Sequence, residues 1–178
     1  MKSDTASAII KRRINRIDSR RGYIALIVRI LTTALIVSLL FSQVFMIMQM
    51  HGNTMFPALK DGDLLIAFRL QNEYLKNDIV VYTTGGENLV GRLIAKGGDI
   101  VDITESGVLI INGTTQTGEI MYPTYPGDSL EYPYNVPEGY FFILGDYRTQ
   151  AEDSRHIGPV PMNQVKAKVI TILRRRGL

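Results

Sequence analysis

Between Ile30 and Met50 the chain runs for 21 residues without a formal charge, reading ILTTALIVSLLFSQVFMIMQM. No other feature restricts the fold as much. As a helix, the run would cover about 31 Å at about 1.5 Å per residue, close to the roughly 30 Å hydrocarbon core of a bilayer. A buried helix of a soluble domain would explain the apolar character. It would not explain the basic block before the run or the change of composition after it. Residues 1–29 hold eight basic and two acidic side chains, a net of +6. Residues 30–178 hold twelve basic and fifteen acidic, a net of −3. The overall charge of +3 is therefore the sum of two unlike regions. A nucleic-acid binder needs basic residues on a globular face, so no nucleic-acid partner is expected.

The run fits an uncleaved signal anchor better than a cleavable signal peptide. The apolar part of a signal peptide is about 7–15 residues long and is followed by a small-residue cleavage site. Lys11, Arg12, Arg13, Arg16, Arg20, Arg21 and Arg29 all precede the run, and Arg29 can extend its head to the inner interface. The positive-inside rule then predicts a single-pass cell-membrane protein, with a cytoplasmic N-terminus and the rest of the chain outside. The expected division is a cytoplasmic basic tail over 1–22, a transmembrane anchor over 23–50 and an extracellular domain over 51–178. In the tail, Ile10, Ile14 and Ile17 recur at helical spacing among basic residues. That pattern suits a short interfacial helix on an anionic leaflet, or a disordered tail that only sets topology.

The remaining 128 residues suffice for one domain with its own core. Strand signals dominate them: Leu64–Leu70, Asp78–Thr84, Asn88–Lys96, Asp99–Thr104, Gly107–Gly113, Gly139–Asp146 and Val165–Leu173. Gly85-Gly86 and Asn112-Gly113 are hairpin-turn dipeptides. Strands at this spacing without intervening helices predict a mainly β domain. Between Ile120 and Glu138, Pro123, Pro126, Pro133 and Pro137 punctuate a longer loop that also carries Tyr122, Tyr125, Tyr132 and Tyr134. It reads as a partner surface or as a packed loop, since tyrosine is common at interfaces. The chain has no cysteine and two histidines, which excludes thiolate chemistry and leaves little for a metal site. No metal and no cofactor is expected.

Three segments carry more specific information: GNTMFPALKDGD (Gly52–Asp63), NLVGRLIAKGGDIV (Asn88–Val101) and GDYRTQAEDSRHIG (Gly145–Gly158). In this order, behind an N-terminal anchor, they resemble the bacterial type I signal peptidases of the S26 family. The resemblance implies a domain of coiled β-sheets preceded by one transmembrane helix. It also implies a serine nucleophile, a neutral lysine base and a hydroxyl that orients the lysine. An aliphatic alcohol needs such a base within hydrogen-bond reach, and the lysine must be desolvated to stay unprotonated.

This chain departs from the family pattern at all three positions. Against G-x-S-M-x-P, Thr54 stands at the nucleophile. Against K-R-V followed by P-G-D, Gly91 stands at the lysine. Against G-D-N-R-x-N-S-x-D-S-R, Ala151 stands at the orienting serine. Thr54 keeps a hydroxyl, whereas Gly91 and Ala151 offer neither a base nor its support. Arg92 cannot usefully deprotonate, and it faces away from Gly91 on a strand. Lys96 is five residues on, and His51 is an odd offset from Thr54. His156 reads as structural.

The expectation is therefore a degenerate peptidase that is not an enzyme, with no catalytic residue intact. The Thr54 and Gly91 pattern resembles accessory proteins of streptococcal pilus loci, which work with a sortase. That resemblance implies pilin subunits or a sortase as partners, and a groove for an extended peptide near its membrane anchor. The residues expected to serve binding are Met55, Phe56, Pro57, Val90, Asp146, Arg148, Asp153 and Arg155. Gly91 is expected to leave a cavity where the lysine stem would lie. The alternative is an active signal peptidase with Thr54 as an atypical nucleophile.

Overall fold

The computed structural model describes residues 2–116 and 121–174, with side chains described from Arg20 onward. The chain divides into two units, residues 1–43 and 44–178. The first is helix α1, Lys2–Val44. Its stretch Arg20–Val44, 25 residues, is long and apolar enough to cross a membrane by length and composition, and none of it is buried. The basic tail, so far as it is described, continues this helix.

The uncharged run does not stay helical to its end. The helix stops at Val44, and Phe45–Gln49 form strand β1. β1 pairs antiparallel with β2, Leu64–Phe68, from Phe45 opposite Phe68 to Gln49 opposite Leu64. Met46 and Met48 pack on the core, and Ile47 faces outward. An alternating face that meets a sheet edge overrides the helical tendency of an apolar run.

The second unit continues with β3 (Ile79–Thr84), β4 (Glu87–Lys96), β5 (Ile100–Ile103), β6 (Leu109–Ile111), β7 (Thr114–Thr115), β8 (Tyr134–Asn135) and β9 (Tyr140–Leu144). A one-turn helix α2 (Ser154–Ile157) follows, then β10 (Val160–Pro161) and β11 (Val165–Leu173). A seven-stranded sheet has the order β1-β2-β11-β3-β4-β9-β10, and a four-stranded sheet the order β7-β6-β5-β8. All the pairings are antiparallel. The mainly β expectation therefore holds, with every predicted strand present.

Both predicted hairpins form. Thr84 lies opposite Glu87 across Gly85 and Gly86, whose φ angles are 58° and 86°. Ile111 lies opposite Thr114 across Asn112 and Gly113, at 51° and 76°. Two left-handed residues make the tight turn whose twist matches that of the strands.

Three core clusters follow from strand alternation. On β3, Val81 joins Met50, Met55, Leu59, Leu65 and Val90 on one face. Val80 and Tyr82 join Tyr74, Leu93, Phe141 and Ile143 on the other. The third cluster, with Ile94, Phe142 and Leu144 against Val101, Ile103 and Leu109, joins the two sheets.

Candidate functional site

Thr54 lies on the loop between β1 and β2. The loop is tied to itself at both ends. Met50 N donates to Asp63 O (2.8 Å) and Gly62 N to Met50 O (2.9 Å), while the Asp61 carboxylate accepts from Gly52 N (2.8 Å). Met55 is fully buried and anchors the loop in the core, and the Leu59 N–H donates to Met55 O at 2.9 Å. Thr54 itself is half-buried, and its carbonyl accepts a hydrogen bond from Tyr147 N at 3.0 Å.

The third segment closes against this loop. A β-carbon added at Gly145 would lie 2.3 Å from Ala151 Cβ and 2.6 Å from Thr54 O. Glycine is required there by close approach alone. Asp153 caps α2 and accepts from Gly145 N (3.0 Å), from Arg155 N (3.2 Å) and from Arg155 Nε (2.8 Å). Arg155 Nη2 also reaches Arg148 O at 2.6 Å and Ala151 O at 3.4 Å, and Nη1 reaches Tyr125 O at 3.1 Å. Ser154 Oγ accepts from Ile143 N at 3.0 Å. A buried charge pair is tolerable when its remaining donors and acceptors are met, as they are here.

Gly91 enters from β4. It lies opposite Val80 on β3 and comes within reach of the Leu144 carbonyl of β9. Strand pairing and the turn after β9 link Gly91, through Leu144 and Gly145, to Thr54 and Ala151. The space behind Gly91 differs from the expectation. A β-carbon there would meet Ile143 Cγ2 at 2.4 Å and Tyr82 Cε1 at 3.2 Å. The expected cavity is filled: the Ile143 and Tyr82 side chains occupy the room that a longer side chain at Gly91 would need. Ala151 is buried as well, at 4% exposure. Of the three positions, Thr54 alone reaches solvent.

The other expected binding residues divide by burial. Met55 and Val90 belong to one core cluster. Arg148, Asp153 and Arg155 are each 2% exposed and hold the loop over α2. Burial lowers the Arg148 guanidinium to about 10, and its Nη1 donates to Thr124 Oγ1 at 2.8 Å. Asp146 forms a two-pronged ion pair with Arg92, at 2.7 Å to Nε and 2.5 Å to Nη2. That hydrogen bond raises the Arg92 guanidinium, burial opposes it, and the Asp146 charge adds to the rise. Phe56 and Pro57 stay half-buried beside Thr54. Among the described residues no hydrogen bond joins His51 to Thr54, and His51 and His156 are both exposed.

Tyr147, which the sequence did not single out, and Tyr122, from the tyrosine-bearing loop, complete the surroundings. The Tyr147 ring lies 6.2 Å from Phe56 and stacks at 4.5 Å on Tyr122. The family pattern has asparagine where Tyr147 stands, and that departure was the available signal.

Chemically, the site offers one half-exposed hydroxyl at Thr54. Gly91 and Ala151 supply no titratable group. Among the described residues no cluster of His, Cys, Asp or Glu could hold a metal.

The sequence profile of the family described as signal peptidase, peptidase S26, matches residues 23–173. A probable thylakoidal processing peptidase 2 of Arabidopsis thaliana is 32% identical over 147 residues, which cover 75% of this chain and 39% of that protein. The chain thus spans less than half the length of that relative. Signal peptidase I of Bacillus licheniformis is 31% identical over 147 residues, 74% of this chain and 75% of its own. Signal peptidase I of Bacillus caldolyticus is 30% identical over 135 residues, 67% of this chain and 74% of its own. A solved signal peptidase I of Enterococcus faecalis superposes with a TM-score of 0.47 at 27% identity, over 56% of this chain and 98% of that one.

These relatives correct one expectation. The losses at Gly91 and Ala151 led to the expectation of a chain that is not an enzyme, yet proteins about 30% identical over 67% and 74% of this chain are named signal peptidase I. A missing base at one position shows where a proton cannot go; by itself it does not establish inactivity. The chain belongs to the signal peptidase, peptidase S26, family.

Proposed function

We propose that this chain is a single-pass membrane protein whose second unit receives an extended segment of an exported polypeptide at Thr54. The observation that carries this is the half-exposed Thr54, at the family's nucleophile position, with its carbonyl held by Tyr147 N at 3.0 Å. The names of the relatives support peptide cleavage as the chemistry. In that reaction Thr54 Oγ1 attacks the peptide carbonyl, the C–N bond breaks as the amine takes a proton and leaves, and water then hydrolyses the ester to restore the hydroxyl. Gly91 has no side chain, so the proton leaves to water or to the bound peptide. Turnover is then lower than with a placed base by roughly 10²–10⁴-fold.

The charge of the first 29 residues supports a cytoplasmic tail over 1–22 and an anchor within 23–50. That orientation puts residues 51–178 outside the cell membrane. The Thr54 and Gly91 pattern supports a role beside a sortase in pilus assembly, with a pilin or sortase segment near its membrane anchor as the bound peptide.

Purified full-length chain incubated with a preprotein tests the chemistry. Slow cleavage that Thr54→Ala abolishes is the expected result. Absence of cleavage, or cleavage that survives Thr54→Ala, overturns Thr54 as the nucleophile. Crosslinking in cells tests the partner. Intact pili after deletion, with no contact to pilin or sortase, overturns the pilus role.

A further inference from the structure

The family match ends at Leu173. Arg174, the next residue, reaches the loop that carries Thr54, and strand register is the reason. β11 runs antiparallel to β2, with Lys168 opposite Phe68 and Val169 opposite Ala67. A bulge between Val169 and Thr171 inserts Ile170, and the ladder resumes with Thr171 opposite Ile66 and Leu173 opposite Leu64. Without the extra residue Leu173 would meet Asp63; with it, Arg174 does. Bulges commonly re-aim a side chain in this way. Arg174 Nε lies 3.5 Å from Asp63 Oδ2, and Nη2 donates to Ala58 O at 3.0 Å.

Both contacts fall where the loop closes on itself. The Asp63 carbonyl accepts from Met50 N at 2.8 Å, and its Oδ2 accepts from Lys60 N at 2.9 Å. Ala58 lies within the turn in which Leu59 N donates to Met55 O. Arg174 is half-exposed, and an ion pair between two exposed groups would contribute little. The Asp63 side chain, however, is only 3% exposed. Removing a cation from a buried carboxylate is far more costly. The loop is thus held from outside at Thr54, by Tyr147 N, and at Ala58 and Asp63, by Arg174.

We propose that Arg174 is a positioning residue for Thr54, acting through Ala58 and Asp63 to fix the loop that Tyr147 grips from the other side. This rests on the reading of Thr54 as nucleophile, and it adds to that site a residue outside the family match.

The test uses the full-length chain in lipid nanodiscs, unaltered and as Arg174→Ala and Arg174→Lys. Amide hydrogen exchange is read at Met50, Leu59, Gly62 and Tyr147. Thr104 and Gln116, whose N–H groups bond to Val108 O and Leu109 O, serve as reference. Arg174→Ala is expected to speed exchange in the loop and at Tyr147 about 5- to 30-fold and to leave the reference amides unchanged. Arg174→Lys is expected to recover part of that loss, because an ammonium restores the charge but not the fork. In preprotein cleavage, Arg174→Ala is expected to lower kcat about 5- to 30-fold with KM within about twofold. Unchanged exchange in the loop overturns the proposal, as does faster exchange that stops short of Tyr147 or cleavage at the unaltered kcat. Absence of cleavage by the unaltered chain overturns Thr54 as the nucleophile and the part of Arg174 in that reaction; the hold on the loop then stands or falls by exchange alone.

Discussion

Gly91 and Ile143 share one space, and Ile143 fills it: a β-carbon on Gly91 would lie 2.4 Å from Ile143 Cγ2. Gly91→Ala is therefore expected to destabilise the domain by about 1–3 kcal/mol, the usual cost of overpacking a core. Gly91→Lys should cost at least as much. Removing Cγ2 with Ile143→Ala should relieve the clash. The double variant is then less destabilised than the sum of the singles by about 0.5–3 kcal/mol in urea unfolding. Strict additivity would show that the two side chains do not compete.

Gly145→Ala presses on backbone as well as side chain, at 2.6 Å from Thr54 O and 2.3 Å from Ala151 Cβ. Backbone yields less easily than a side-chain end. A loss of about 1–3 kcal/mol is expected. The Tyr147 N to Thr54 O hydrogen bond should weaken with it, read as faster amide exchange at Tyr147.

The Tyr132 hydroxyl is buried without a hydrogen-bond partner among the described residues. Burial pushes its pKa up to about 12. A buried polar group left unmet costs about 1–3 kcal/mol, so Tyr132→Phe is expected to raise the melting temperature. A clear fall would place an essential partner at that oxygen.

Arg92 and Asp146 join β4 to the start of the third segment through a fork at 2.7 and 2.5 Å. Asp146→Asn keeps the shape and removes the charge, and should cost about 1.5–3 kcal/mol. Arg92→Lys is not expected to rescue the pairing, because an ammonium cannot present two parallel donors. Thermal unfolding of the three proteins measures both effects.

Burial pushes the Asp99 carboxyl up, but hydrogen bonds from Lys96 N, Asn112 and Lys76 outweigh it and leave it below the ordinary value of 3.8. A carboxylate lowered in the folded state adds stability above its unfolded value. That stability is lost as the pH falls through the folded one. Between pH 6 and pH 3, Asp99→Asn should therefore lose less stability than the unaltered chain. An equal or larger loss in the variant would show that the carboxylate is not favoured by folding.

Much of the β unit was legible from local pattern. Alternation in Ile79–Thr84 and Glu87–Lys96, with Gly85-Gly86 between them, marks a hairpin without reference to the rest of the chain. β1 was hidden because Phe45–Gln49 continues an apolar run, and only its pairing with Leu64–Phe68 makes it a strand. β8 and β10, of two residues each, are too short to carry a pattern. The loss of a side chain at Gly91 was visible in the sequence. The filling of its space was not, since Ile143 lies 52 residues away.

The sequence by itself determined the apolar run, the charge that precedes it, most strands of the second unit and the departures from the family pattern at Thr54, Gly91 and Ala151. These depend on residue type and near neighbours. Tertiary structure decided that the helix stops at Val44, that Ile143 and Tyr82 close the space at Gly91, and that Phe56, Tyr147 and Tyr122 meet beside Thr54. Each of those depends on segments far apart in the chain packing into one volume, which no local pattern encodes.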